Sequence, residues 1–498
     1  MTQTMQAPTL RTPQTQQAQP TYEITDADKA RQKKIAEAWK AYNDELEKPL
    51  VPMPGEADDN VMSNRCAPIV DRGVDFLFGK ELEISTEENG PQEAQDCIDT
   101  TWGIKEARIP LLQEWAMNGG AAGQGFLRIV PDMDGTFEIV NIDPSIVFVQ
   151  TAPQNCRRVL LFCIQYSTME KINGHWKEVY YREEIAANYP EPKNGRQASK
   201  PTSWNIQHWT QVVLSANMQP TMTGWTAAGP PIDWPYAFPP LFGNQNLPYP
   251  NNYWGKPDLT PGLIGLNNAL NLGQSSINRL FKLFGAPIIY ATGVAESLIK
   301  RVVGSIIGLP LPESKIVAVP LPSDSANALK FAADLRSDTD EESGVPGVAT
   351  GRIATMPRGQ LSGVALELLF MPILKKTEKK RCSYGNTIIE VSKALLVLND
   401  FSEDIKITLA WQNPLPEDDL PAVQAAVSKL EIGISRTTLQ RELGYDPEEE
   451  AILKDAEDAK DQAKAAAVAA LLPPEVPGAP PLPGQPFPAQ APIGGKQP

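Results

Sequence analysis

Thr260-Pro261 opens, and Gly285-Ala286-Pro287 closes, the segment that most constrains what this chain can become. A hydroxyl side chain at the cap, followed by proline at the first helical position, pre-forms a helix start. Glycine and then proline forbid its continuation. The roughly 24 residues between predict a rod about 36 Å long. Leu263, Leu266, Leu270, Ile277, Leu280 and Phe284 share one face of it, while Asn267, Asn271, Gln274, Ser275 and Asn278 form a second stripe that is polar yet uncharged. Such a stripe suits the wall of an aqueous channel, which it would wet without gripping phosphate. It suits equally a solvated face or a hydrogen-bonded seam between helices.

The neighbouring segments fit around that rod. APIIYATG and KIVAVPL predict two strands, with a short helix near 296–303 between them, bracketed by Pro310, Pro312, Pro320 and Pro322. A second helix is predicted over 324–342, ending in Asp334, Asp338, Asp340, Glu341 and Glu342. Residues 343–360 then form a Gly-rich loop whose charges are Arg352 and Arg358 alone. From a cap at Ser362 a long helical pattern follows, with Leu361, Ala365 and Leu368 at three- and four-residue spacing. Pro372 inside it removes a backbone hydrogen bond and predicts a kink. Lys375, Lys376, Lys379, Lys380 and Arg381 read as the solvated face of a core helix.

Upstream, residues 1–22 are low-complexity and predict disorder. An exposed helix over Asp26–Leu46, capped by Thr25 or Asp26, and an amphipathic one over Val61–Phe78 follow, the latter ended by Gly79. After a helix at 104–118 the period changes. GQGFLRIV, TFEIVNI, SIVFVQ, RRVLLFCIQY and HWKEVYYREE alternate as strands do, so the fold class is α+β. Gly120 to Gly125 runs into a strand, not a helix, and lacks the geometry of a phosphate-cradling loop. Asp132 and Asp134 lack the later acidic ligands of a calcium loop. Residues 185–257 read as irregular with a strand or two, and Trp204, Trp209, Trp225, Trp234 and Trp254 as core or subunit-interface residues. ITLAW predicts a strand returning to the N-terminal sheet, residues 420–464 predict helices capped at Ser435 and opened at Pro447, and a Pro-rich tail closes the chain.

Composition excludes more than it selects. Five scattered cysteines with no C-x-x-C pair predict neither a disulfide framework nor a zinc site, and His175 and His208 are too few for a histidine metal site. No G-x-x-x-x-G-K-[ST] motif occurs, nor a nucleophile beside a plausible base, so no catalysis and no cofactor are expected. No run of about 18 apolar residues predicts a membrane span, and the Gln-, Thr- and Pro-rich start predicts no signal peptide. The formal charge of −15 argues against tight phosphate gripping, yet repulsion from an acidic wall would let a duplex slide without sticking.

Four stretches in order resemble the portal proteins of tailed double-stranded DNA bacteriophages. They are NRCAPIVDRGVDFLFGKELEIS (64–85), NYWGKPDLTPGLIGLNNALNLGQSSINRLFKLFGAPIIYATG (252–293), LSGVALELLF (361–370) and PLPEDDLPAVQAAVSKLEIGISRTTLQRELGYDPEEE (414–450). The resemblance implies a ring of subunits, a dodecamer in the virion, around an axial DNA channel at the head-tail junction. Residues 23–257 would form the wing, 258–285 and 323–342 the stem, 286–322 the clip, 343–360 the tunnel loop, 361–400 a long wing helix, 401–414 a returning strand and 415–470 the crown. It implies as partners a terminase large subunit, a head-tail adaptor, and the major capsid and scaffolding proteins. Lys300, Arg301 and Lys315 of the clip are candidates for motor or adaptor contact. Arg352 and Arg358 are candidates for sequence-independent contact with DNA phosphates, the alternative being a neighbouring subunit's carboxylate. A capsid or adaptor scaffold without a channel, and more remotely a metal-dependent nuclease built on the Asp clusters, are the competing readings.

Overall fold

The computed structural model describes residues 19–52, 58–87, 90–103, 105–132, 135–191, 198, 200–216, 219–285, 289–292, 313, 315–318, 325–352, 363–415, 428–430, 433–442, 450–452, 454 and 460. Helix α1 (Asp26–Tyr42) starts where its capping box dictates. The Thr25 hydroxyl accepts from the Asp28 N–H at 3.2 Å, and the Asp28 carboxylate accepts from the Thr25 N–H at 3.0 Å. Helix α2 (Cys66–Phe78) begins five residues later than its apolar pattern predicts. Asn64 Oδ1 caps it by accepting from the N–H groups of Cys66 and Ala67. Residues 59–65 stay out of the helix because their N–H groups have other partners, described below.

Strand β1 (Leu82–Thr86) leads to α3 (Gln92–Trp102), a helix the sequence reading passed over, which buries Ala94, Ile98 and Trp102 at four-residue spacing. Helix α4 (Lys105–Ala122) then runs into β2 (Gln124–Pro131) through Gly123, whose φ of +82° and whose contact with Gly255 admit no side chain. The Gly120–Gly125 run is thus a helix-to-strand junction. β3 (Phe137–Ile142), β4 (Val147–Ala152), β5 (Asn155–Ile172) and β6 (His175–Asn188) follow the expected alternation.

The region expected to be irregular holds β7 (Ser203–Ala216), β8 (Gln219–Met222), β9 (Thr226–Ala227), β10 (Ile232–Trp234) and β11 (Leu241–Gln245). Its Trp and Asn content hid a period-two pattern in which Trp204 and Ile206 both point inward. One sheet has the order β10-β7-β6-β5-β4, with β8 and β9 also on β7; a smaller one has the order β11-β2-β3.

Helix α5 (Pro261–Gly285) runs between the punctuation residues, with the Thr260 hydroxyl accepting from the Leu263 N–H at 3.3 Å. β12 (Ile289–Thr292) and β13 (Lys315–Ala318) pair antiparallel as the two expected strands. Helix α6 (Ser325–Ser343) and the 36-residue helix α7 (Gly363–Leu398), which contains Pro372, complete this part. β14 (Ile407–Trp411) returns to pair with β1.

The main core gathers α1 to α4, the β11-β2-β3 sheet, α7 and β14 around Phe78, Trp102, Trp115 and Tyr384. Two of its polar tips are satisfied: Trp102 Nε1 donates to Ser392 Oγ at 2.9 Å and the Tyr384 hydroxyl to Asn246 Oδ1 at 3.1 Å, while Trp115 Nε1 is buried without a partner among the described residues. Residues 416–498 form a second unit. Within it α8 (Arg436–Glu442) is capped by Ser435, whose hydroxyl accepts from the Thr438 N–H at 3.3 Å. Of the third crown helix expected from Pro447, residues 450–452, 454 and 460 are described and are helical; Pro447 itself, the Pro-rich tail and residues 1–18 lie outside the described residues. No helix among the described residues is long and apolar enough to cross a membrane.

Candidate functional site

Helices α5 and α6 form an antiparallel stalk. Leu270, Ala332 and Leu335 are buried between them with Leu266, Ala269 and Ile277. At its base the Thr260 hydroxyl donates to Glu342 Oε1 at 3.3 Å, so the start of one helix meets the end of the other. The β12-β13 pair lies along the chain at the opposite end. The outer faces leave Leu272, Phe281, Leu329 and Phe331 between 46% and 56% exposed. Leu368 of α7, expected on a core face, is 64% exposed.

The polar stripe of α5 is not free to line a channel in this chain. Asn267, Asn271 and Ser275 are buried under residues 59–65. Their side chains accept from the backbone N–H groups of Arg65 (3.1 Å), Ser63 (2.9 Å) and Val61 (2.9 Å), in that order. Asn278 Nδ2 donates to the Asp59 carbonyl at 2.8 Å. The Arg279 guanidinium closes the row on the Asp59 carboxylate, with Nε and Nη2 at 2.7 and 2.8 Å. Gln274 is half-buried beside them. The match is geometric: two residues of an extended chain advance about 6.6 Å, and four residues of a helix advance about 6.0 Å. A helix face bearing short polar side chains every fourth residue therefore serves a passing strand as a second strand would. The spacing was legible in the sequence; the partner, 202 to 214 residues away, was not.

A second feature escaped the sequence reading. Of the basic cluster on α7, Lys375 and Lys379 are exposed as expected, but Lys380 is buried, and its Nζ lies 2.5 Å from Asp258 Oδ2. Lys376 Nζ stands 2.8 Å from Asp258 Oδ1 and also donates to the Ser343 carbonyl at 2.9 Å. Asp258 lies three residues before the first residue of α5 and Ser343 ends α6, so two lysines one helical turn apart tie both stalk helices to α7. Burial alone would raise the Asp258 pKa, but the two ammonium groups overcome it and hold the carboxyl down at about 2. Burial pulls the Lys380 ammonium below its usual range, against the attraction of Asp258. Room for the cluster comes from Gly73 and Gly120, where a Cβ would stand 3.6 and 3.1 Å from the Asp258 carboxylate. Arg381, the fifth member, lies with its guanidinium 5.0 Å from the Trp411 ring centre.

The loop after α6 begins beside this cluster. Arg352 is not extended into solvent; its guanidinium pairs with Asp340 of its own chain, and its N–H donates to the Gly347 carbonyl at 2.9 Å. Arg65 approaches the same Asp340 at 3.8 Å. These groups, with Ser63, Arg72 and Thr350, border a cavity of about 290 Å³. Arg358, Lys300 and Arg301 lie outside the described residues, and Lys315 is placed as a backbone position of β13 opposite Thr292. Trp204 and Trp209 are buried as expected of core residues, Trp254 stacks under the Arg31 guanidinium at 3.7 Å, and Trp225 lies 4.4 Å from that of Arg182. Among the described residues no group of His, Cys, Asp and Glu is arranged to hold a metal ion.

No family model matches this sequence, and no curated protein matches it. Among solved structures the chain is similar to one described as "Neck of native GTA particle computed with C12 symmetry", at a TM-score of 0.41 and 11% identity, over 76% of this chain and 90% of that one.

Proposed function

We propose that this chain is a portal-type subunit: copies assemble head to tail into a closed ring, a dodecamer, through which double-stranded DNA enters and leaves a capsid. The observation that carries this reading is the stalk. An antiparallel helix pair that leaves Leu272, Phe281, Leu329 and Phe331 exposed is poorly suited to a lone subunit in water. In a ring, each stalk would cover its neighbour's outer face, and one such heterologous contact repeated around an axis closes. The order of stalk, loop and long helix agrees with the portal resemblance in the sequence. The strand-paired segment between α5 and α6 would be the clip, which meets the terminase motor during packaging and the head-tail adaptor afterwards. Capsid and scaffolding proteins would surround the ring at the virion vertex. The chain itself would perform no chemistry, the motor supplying the energy.

Electron microscopy of the purified protein tests this directly. The expected result is a closed ring of about twelve subunits, with a hole wider than the roughly 20 Å of a duplex. Monomers or open filaments across a range of salt concentrations would favour a scaffold without a channel.

A further inference from the structure

We propose that the cavity at the base of the loop binds a phosphate-type oxyanion. It lies where the start of α2, the end of α6 and residues 345–352 meet, and Arg65, Arg72 and Arg352 border it. Arg72 has its own partner, Asp75, at 3.0 Å. Arg65 and Arg352 share one carboxylate, Asp340, which leaves a local excess of positive charge in a chain of net charge −15. The crowding is felt: after burial, the charges of Arg352 and Arg336 are what pull the Arg65 guanidinium below its usual range.

Three guanidinium groups facing only two carboxylates leave donors and positive charge for a further acceptor. A tetrahedral oxyanion supplies several acceptors at once and suits the planar fork of a guanidinium. The α2 terminus adds a favourable field, since a helix start carries partial positive charge. Its first N–H groups are already taken by Asn64, so the arginines do the binding. The oxyanion source is a free phosphate or a phosphodiester of nucleic acid, and the chemistry of recognition is shared. The inference does not depend on ring formation.

The test uses the full chain and inorganic phosphate, titrated calorimetrically in chloride buffer at fixed ionic strength. Wild-type protein should bind saturably, one ion per chain. Arg65→Gln and Arg352→Gln should each weaken binding about tenfold, as loss of a charge-assisted contact does. Asp340→Asn should tighten it several-fold, because the competing carboxylate is gone, and Lys48→Gln, which removes a charge elsewhere, should leave it unchanged. Should Arg65→Gln fail to fold, the opposite responses of the other two variants carry the test. A short DNA duplex distinguishes the sources: competition with phosphate, lost in Arg352→Gln, identifies a phosphodiester, whereas phosphate binding indifferent to duplex identifies the free ion. No saturable binding, or equal affinity in all variants, overturns the proposal.

Discussion

Asp258→Asn should destabilise the chain by about 3–5 kcal/mol, the usual cost of removing one partner from a buried ion pair. The side chains of Asp258 and Lys380 are 0% and 1% exposed, so water cannot replace what the substitution removes. Asparagine keeps the shape but leaves the Lys380 ammonium uncompensated in the core. Lys380→Met should cost clearly less, since Lys376 at 2.8 Å still faces the carboxylate. The double variant should be more stable than Asp258→Asn alone, because it buries neither charge unpaired. Urea unfolding followed by tryptophan fluorescence suits the purpose, Trp102 and Trp115 being buried in the same core cluster. A loss below about 1 kcal/mol for Asp258→Asn, or a double variant that falls by the sum of the singles, would refute the assignment of this cluster as the stalk's anchor.

Other expectations follow from the same geometry. Because the Asp258 pKa is held at about 2, below the ordinary carboxylate value, its contribution is complete above about pH 4 and is lost as the pH falls toward 2; acid unfolding should shift in Asp258→Asn and be unaltered in a surface variant such as Asp26→Asn. Asn271→Ala strands the Ser63 N–H and should cost about 1–3 kcal/mol, with faster amide exchange at Ser63 as the local readout. Gly123→Ala combines a φ of +82° with a Cβ 2.5 Å from the Gly255 carbonyl oxygen and should cost more than about 2 kcal/mol, seen as lost soluble yield. Deleting residues 351–358 should spare ring assembly, seen by microscopy, while reducing the DNA retained by particles built around the variant; loss of assembly would count against the loop reading.

What could be read in advance divides along physical lines. The start of α5 at Thr260-Pro261 and the capping box at Thr25 are local devices, complete within a few residues, and the structure uses both. The polar stripe was visible as a period, but what it faces is decided by chain 202 residues or more upstream. The lysines of α7 looked like a solvated face because their burial depends on a single carboxylate 122 residues away, and periodicity carries no information about such a partner. In β7 the alternation was present and was outweighed by composition. Arg352 was legible as a special loop residue, though its pairing with Asp340 was not.

The clamp between α5 and residues 59–65 behaves as a vernier. Its two scales differ by roughly 0.6 Å per division, and four residues overshoot a helical turn by about 40°, so successive marks drift apart in both advance and angle. Coincidence good enough for a short Asn or Ser side chain lasts three divisions, at 65, 63 and 61. At the next division the helix position is taken by Arg279, whose longer side chain reaches the Asp59 carboxylate across the accumulated offset. The length of such a clamp is therefore fixed by two incommensurate repeats, and adding further polar residues to the helix would not lengthen it.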